Sequence, residues 1–295
     1  MARTLAGLPA VDTDVQGFKV SQSKVPMIVW VVGDNTNVGK TTISASLIRV
    51  LNAMGVSAIG FKPYAGARLM DVIDLLQEIA PGDGCLVGRD ARQMAKASPL
   101  ITPELLEVVN PSWRLSHPVR DASVFVRKGS AQIGQREFWC TENSRTFWQR
   151  QDIRQLNETI QLPVTNMLAT SHMAADKLDF DKQSVQVASF ARLVSLNPQV
   201  VVCEGAGRLL PVWENAPAVK HIFLVSSGEL HFFPDIRLQV GKTPDAFGPF
   251  TVGAIAKYLN GRKRVRAPIP LAEQSRLETV LDAFVLPFAT ACIKS

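Results

Sequence analysis

Between Gly33 and Thr42 the chain reads Gly33-Asp-Asn-Thr-Asn-Val-Gly39-Lys40-Thr41-Thr42, residue types that suit a polyphosphate. Glycine lets the backbone turn sharply so that successive N–H groups face one point, and a helix N-terminus adds unpaired donors and a dipole that favours negative charge. On this reading Gly33, Thr36, Asn37, Val38, Gly39, Lys40, Thr41 and Thr42 hold the phosphates of a nucleoside triphosphate. Lys40 bridges the β- and γ-phosphates and the Thr41 hydroxyl ligates Mg²⁺. The pattern departs from the usual P-loop in two ways. Five residues separate its glycines, one more than usual, and Asp34 stands where a glycine is expected.

Such a loop works only between a strand and a helix, and the flanking sequence supplies both. Met27-Ile-Val-Trp-Val-Val32 is apolar without alternation, as a strand buried on both faces of a parallel sheet is. Ile43, Leu47, Val50, Leu51 and Met54 then recur at helical spacing, and Gly55 supplies the stop. Ser57 to Phe61 reads as a second strand, which makes a right-handed strand–helix–strand unit. A later unit repeats the plan: Val185, Ala188, Phe190, Leu193 and Val194 mark a helix ended by Asn197-Pro198, followed by the buried strand Val200-Val-Val-Cys203. His221 to Val225 is a further strand. The expected fold is α/β, a P-loop NTPase-like doubly wound, mostly parallel sheet over 26–295, with 1–25 as an N-terminal extension. From about 112 to 162 an inserted, hairpin-containing segment is expected, with Val124–Val126 and Ile133–Trp139 as strands and Lys128-Gly-Ser130 as the turn.

Two charged residues fall where this scaffold would use them. Lys62 follows the second strand, in the crevice where open α/β sheets bind ligands, and its charge suits a phosphoryl group in transfer. Glu204 ends an apolar strand at the place from which a Walker-B-type acid reaches Mg²⁺.

Together these segments resemble the dethiobiotin synthetase family, whose P-loop reads G-T-D-T-x-V-G-K-T with the same five-residue gap. Gly60-Phe-Lys62-Pro63 is similar to its G-x-K-P, Thr170-Ser-His172-Met-Ala-Ala175 to its S-P-H-x-A-A, and Val202-Cys-Glu204-Gly-Ala-Gly207 to its V-E-G-A-G. The resemblance covers roughly 26–112 and 162–226. It implies a homodimeric, cytoplasmic enzyme of biotin biosynthesis, an ATP-dependent cyclo-ligase. In that chemistry a diamine such as diaminopelargonate is carbamated by CO₂, the carbamate is phosphorylated by MgATP, and the second amine closes a ureido ring. Lys40 and Lys62 are then catalytic, and Thr41 and Glu204 hold Mg²⁺. Asp90 of Gly88-Arg-Asp-Ala91 resembles the family's further metal-binding acid, with helix N-capping as the alternative role. Gly66, His172, Gly205, Ala206 and Gly207 are the expected substrate-side residues. Departures fall at Asn35, Gly66 and Arg208, where the family has aspartate, serine and glycine. Beyond Val225 the family's next turn and helix and its adenine-reading asparagine have no counterpart, and only Ala267-Pro-Ile-Pro270 is similar to its terminal segment.

Composition leaves this class of function open and narrows others. With 46% hydrophobic and 20% charged residues over 295 positions the chain reads as globular, and no apolar run approaches a membrane span. Four cysteines, at 85, 140, 203 and 292, have no zinc-site spacing and read as reduced thiols. The net charge of +6 suits ATP as well as larger polyanions. Two other functions fit the same P-loop. One is a related ligase or kinase with a different small-molecule substrate. The other is an ATP-switched partner or nucleic-acid-binding protein, suggested by Arg127, Lys128, Arg136, Trp139, Trp148, Arg150, Arg262-Lys-Arg264 and Arg266.

Overall fold

Met27–Gly33 forms strand β1, and its alternate residues feed two separate cores. Ile28, Trp30 and Val32 pack on one face of the sheet, and Val29 and Val31 on the other. That is why the run lacks alternation: neither face meets water. The computed structural model describes residues 25–68, 87–116, 123–129, 136–141, 172–174, 183–213, 216–239 and 251–294. In chain order these form β1, α1 (Lys40–Ala53), β2 (Ala58–Phe61), β3 (Tyr64–Arg68), α2 (Arg89–Lys96), α3 (Leu106–Val109), β4 (Ser112–Ser116), β5 (Ser123–Gly129), β6 (Arg136–Thr141) and β7 (His172–Ala174). There follow α4 (Gln183–Ser195), β8 (Val200–Glu204), β9 (Val219–Ser226), β10 (Glu229–Phe233), α5 (Val252–Leu259), β11 (Val265–Pro268) and α6 (Leu277–Lys294).

The central sheet has six strands in the order β11-β10-β9-β1-β8-β2. Strands β9, β1, β8 and β2 run parallel, and β10 and β11 close one edge antiparallel. Helices cover both faces. On one, Phe190 and Leu193 of α4 and Ile255 of α5 join the β1 residues, with Trp213 edge-on to Phe61 at 5.0 Å between ring centroids. On the other lie Ile43, Leu47 and Leu51 of α1, Met94 of α2 and Leu281, Val285 and Phe288 of α6. Helix α6 is locked to α1 where Arg49 donates to both Asp282 carboxylate oxygens, at 3.0 and 2.8 Å. The chain is thus α/β with a mostly parallel central sheet. After β9, Ser227-Gly228 turns it straight back into β10, Gly228 taking a φ of 77° that favours glycine. No helix follows β9 because the next strand pairs at once. Among the described residues no helix is long and apolar enough to cross a membrane.

A second sheet has five strands in the order β3-β4-β5-β6-β7. The hairpin expected from the sequence is β5 and β6, paired antiparallel from Val126 opposite Trp139. Its turn lies further on than expected: Lys128 and Gly129 pair with Glu137 and Arg136, so they continue the strand instead of ending it. Neither is this sheet confined to 112–162, since β3 precedes that stretch and β7 follows it. Residues 1–24, the side chains of the hairpin, Ile133, Trp148, Arg150 and Cys85 lie outside the described residues. Cys203 and Cys292 are buried free thiols.

Candidate active site

The sheet order gathers the sequence motifs at one edge. Strand β8 lies between β1 and β2, with Val31 opposite Glu204 and Phe61 opposite Cys203. All three strands run the same way, so the loop after β1, Lys62-Pro63 after β2 and the turn after β8 leave from neighbouring strand ends. This is the place where parallel sheets bind ligands.

The loop after β1 presents donors with nothing to receive them. Asn37 and Gly39 adopt left-handed backbone, φ 57° and 93°, which reverses the peptide planes before α1. Helix α1 has no side-chain cap at its N-terminus. The amide N–H groups of residues 37–42 find no acceptor among the described residues, and an uncapped helix start of this kind favours an anion. Asn35 is exposed, its Oδ1 accepting the Thr36 N–H at 2.9 Å and its carbonyl accepting from Lys40 Nζ at 2.6 Å. Gly33 is required by close approach: a Cβ there would lie 2.8 Å from Val38 Cγ2 and 2.9 Å from Lys40 Cδ.

Beside the loop sits a cluster of opposite charges. Lys62, only 3% exposed, donates from Nζ to Asp90 Oδ2 at 2.5 Å and to Glu204 Oε1 at 2.6 Å. The Thr41 hydroxyl donates to the same Glu204 oxygen at 2.9 Å. Glu204 Oε2 is buried and finds no partner among the described residues. Burial pushes the Lys62 ammonium down, but Glu204 and Asp90 together outweigh it and hold it above its ordinary value. For Lys40 burial wins over the attraction of Glu204, and its ammonium is held below the usual lysine range. Asp90 is raised by burial yet ends below the usual carboxylate range, because Lys62 is hydrogen-bonded to it.

These shifts set a pH window. Asp90 is depressed in the folded chain, so its contribution is complete above the ordinary carboxylate range and is lost as pH falls through its lowered value. Lys62 is raised, so its contribution holds below its ordinary value of 10.5 and is lost as pH rises beyond it. Thermal melts should therefore begin to fall below about pH 6.5, where burial holds the His221 imidazole down at about 4, and fall further below about pH 4 as Asp90 is protonated. Asp90→Asn should flatten part of that acid limb, and only a shallow part, because the Asp90 side chain is 48% exposed.

Of the residues singled out in the sequence, Gly33, Thr36–Thr42, Lys62, Asp90 and Glu204 come together here. Asp90 lies in the first turn of α2 with no side-chain cap bond, so its partner is Lys62 and not its own helix. Gly205, Ala206 and Gly207 form the adjoining turn: Gly205 N–H bonds to the Val31 carbonyl at 3.0 Å, and a Cβ on Gly207 would lie 3.5 Å from Thr36 Cγ2. Gly66 is not in the cluster but exposed on β3, and His172 belongs by its backbone to β7 of the second sheet. The chain matches no family model and no curated protein.

Sequence reasoning passed over Asn110. Its Nδ2 donates to the carbonyls of Lys62 at 2.9 Å and Ser112 at 3.0 Å, and the Lys62 N–H bonds to Val109 at 2.8 Å. Gln186 of α4 in turn donates to the Ser112 hydroxyl at 3.0 Å. A buried asparagine between an apolar pair and a proline was the one available signal. Gly205 carries a testable constraint of its own. An added Cβ would stand 2.2 Å from the Leu209 carbonyl oxygen, which is backbone and cannot rotate away. Gly205→Ala should cost about 1–3 kcal/mol in a urea titration, the range for overpacking, and displace the turn that meets Thr36.

Proposed function

We propose that this chain is an ATP-dependent enzyme of the dethiobiotin synthetase kind, activating a carbamate or carboxylate for ring closure. The observation that carries it is the convergence of Lys40, Thr41, Lys62, Asp90 and Glu204, from two helices, the end of strand β8 and the residue after β2, on one sheet edge. The donor set fits the expected ligand. Unpaired amides at the start of α1 and Lys40 would hold phosphates; Thr41, Glu204 and Asp90 would hold Mg²⁺, with the orphaned Glu204 Oε2 as the most evident open acceptor. When bound, MgATP supplies the phosphoryl group.

The chain's own residues do the rest. Lys62 stays charged, since its carboxylate partners raise it, and it acts as a positive charge instead of a proton acceptor. Asn110 holds the Lys62 backbone from behind, so the ammonium is placed by a buried hydrogen-bond relay. The second sheet starts two residues after Lys62, and the Tyr64 hydroxyl ties it to the Leu210 carbonyl beside the 205–209 turn. This supports a reading in which the second sheet walls the substrate side.

The test is direct. Purified protein given diaminopelargonate, bicarbonate and MgATP is expected to form dethiobiotin with kcat/KM of about 10⁴ M⁻¹s⁻¹ or better. ATP bound without product would overturn the ring closure and favour a related ligase or kinase; no ATP binding would overturn the whole reading. The nucleic-acid alternative gains little from the basic stretch 262–266: Arg266 pairs with Glu229 and Arg262 lies over the Tyr258 ring, as surface cations usually do.

A further inference from the structure

The Lys62 ammonium sits between the two carboxylates that the proposed function assigns to a divalent cation. Its distances, 2.5 Å to Asp90 Oδ2 and 2.6 Å to Glu204 Oε1, make it the cation of that site in this conformation. The Thr41 hydroxyl, the third expected metal ligand, donates to the same Glu204 oxygen at 2.9 Å and keeps its lone pairs. One acceptor, Glu204 Oε2, buried with its residue 1% exposed, has no partner among the described residues. A divalent cation in this gap would compete with the ammonium for Asp90 Oδ2 and Glu204 Oε1, and the two cations would repel each other at contact distance.

We infer that Lys62 is a latch on the metal site: it excludes a free divalent cation and releases the carboxylates only when a polyphosphate gives its ammonium another acceptor. The inference rests on the proposed function for the identity of the ligands, and goes beyond it in assigning an order of entry. Charge accounting supports it. Two basic side chains, Lys40 and Lys62, face two acidic ones, Asp90 and Glu204. A bare divalent cation would add two positive charges in a buried place, whereas a cation arriving with a triphosphate brings more negative charge than positive. Lys40, already bonded to its own loop through the Asn35 carbonyl, gives phosphates a first point of attachment without opening the latch. The metal then enters with the nucleotide, or after it, and never before.

Manganese alone, followed by electron paramagnetic resonance in the absence of nucleotide, tests this. Wild-type chain should bind Mn²⁺ weakly, and Lys62→Gln at least about tenfold more tightly, the low end of the change that groups around a metal site produce. Glutamine keeps an amide donor toward Glu204, so the carboxylate is not left bare, and Lys62→Arg, which keeps the charge, should exclude Mn²⁺ as the wild type does. If Lys62→Gln is too unstable to titrate, thermal shift replaces resonance: Mn²⁺ should raise its melting temperature and leave that of the wild type unchanged. Tight Mn²⁺ binding by nucleotide-free wild type overturns the latch, and so does a Lys62→Gln chain that gains no affinity and no thermal shift. Calorimetry with a non-hydrolysable ATP analogue separates this from the functional reading. If the analogue binds wild type while the manganese result fails, the latch is wrong and the nucleotide site stands; if the analogue does not bind, the functional reading fails.

Discussion

Lys40→Ala is expected to leave the chain folded and to weaken ATP binding by about 10- to 150-fold, the equivalent of the roughly 1.5–3 kcal/mol carried by a charged hydrogen bond. The Lys40 ammonium is the one long cation that leaves the loop itself, and in this structure it caps the Asn35 carbonyl at 2.6 Å. Its removal costs little stability, because burial already disfavours the charge there, and the loop is shaped by Asn37 and Gly39 in left-handed backbone, which the substitution does not touch. Calorimetry with MgATP and far-ultraviolet circular dichroism on the same samples checks both halves. An unchanged affinity in a folded variant would remove the phosphate-binding role of the 33–42 loop, and with it the functional proposal.

The second large effect concerns stability and needs no ligand. Lys62→Met should destabilise the chain by about 3–5 kcal/mol, because it leaves the buried Glu204 carboxyl without its ammonium partner. Glu204→Gln should cost less, since Lys62 keeps Asp90 as a partner. At about 2–4 °C per kcal/mol for a chain of this size, the lysine variant melts roughly 10 °C lower. The double variant Lys62→Met with Glu204→Gln should recover much of that loss, for no uncompensated charge is then buried. Additive losses in chemical denaturation would mean that the two residues act separately, contrary to the 2.6 Å contact between them. The same Glu204→Gln chain should lose Mg²⁺-dependent turnover by about 10- to 100-fold while ATP binding falls less.

The strand–loop–helix unit at 27–53 was legible because three independent signals agree there: an unbroken apolar run, a glycine turn and a 3.6-residue period. The 183–204 unit was legible for the same reason, down to its stop at Asn197, which takes a left-handed φ of 56°. The second sheet was less so. Lys128-Gly129 carries turn chemistry yet lies in a ladder, because pairing with Glu137 and Arg136 overrides a local preference worth only a few tenths to about one kcal/mol. Strand β3 was not anticipated at all: Tyr64–Arg68 contains two alanines and a glycine, and only its pairing with β4 makes it a strand.

By itself the sequence determined which residue types stand at the strand ends, and hence that Gly33–Thr42, Lys62 and Glu204 could serve one anionic ligand. Local patterning is enough for that, since a strand's direction and its last residue follow from periodicity and turn chemistry. What only the tertiary structure decided is that Asp90 belongs to the same cluster, that Asn110 stands behind Lys62, and that the Lys62 ammonium fills the space between the carboxylates. These depend on contacts across 28, 48 and 142 residues of chain. No local preference encodes such separations; they arise when β8 is placed between β1 and β2 and the helices close over the sheet.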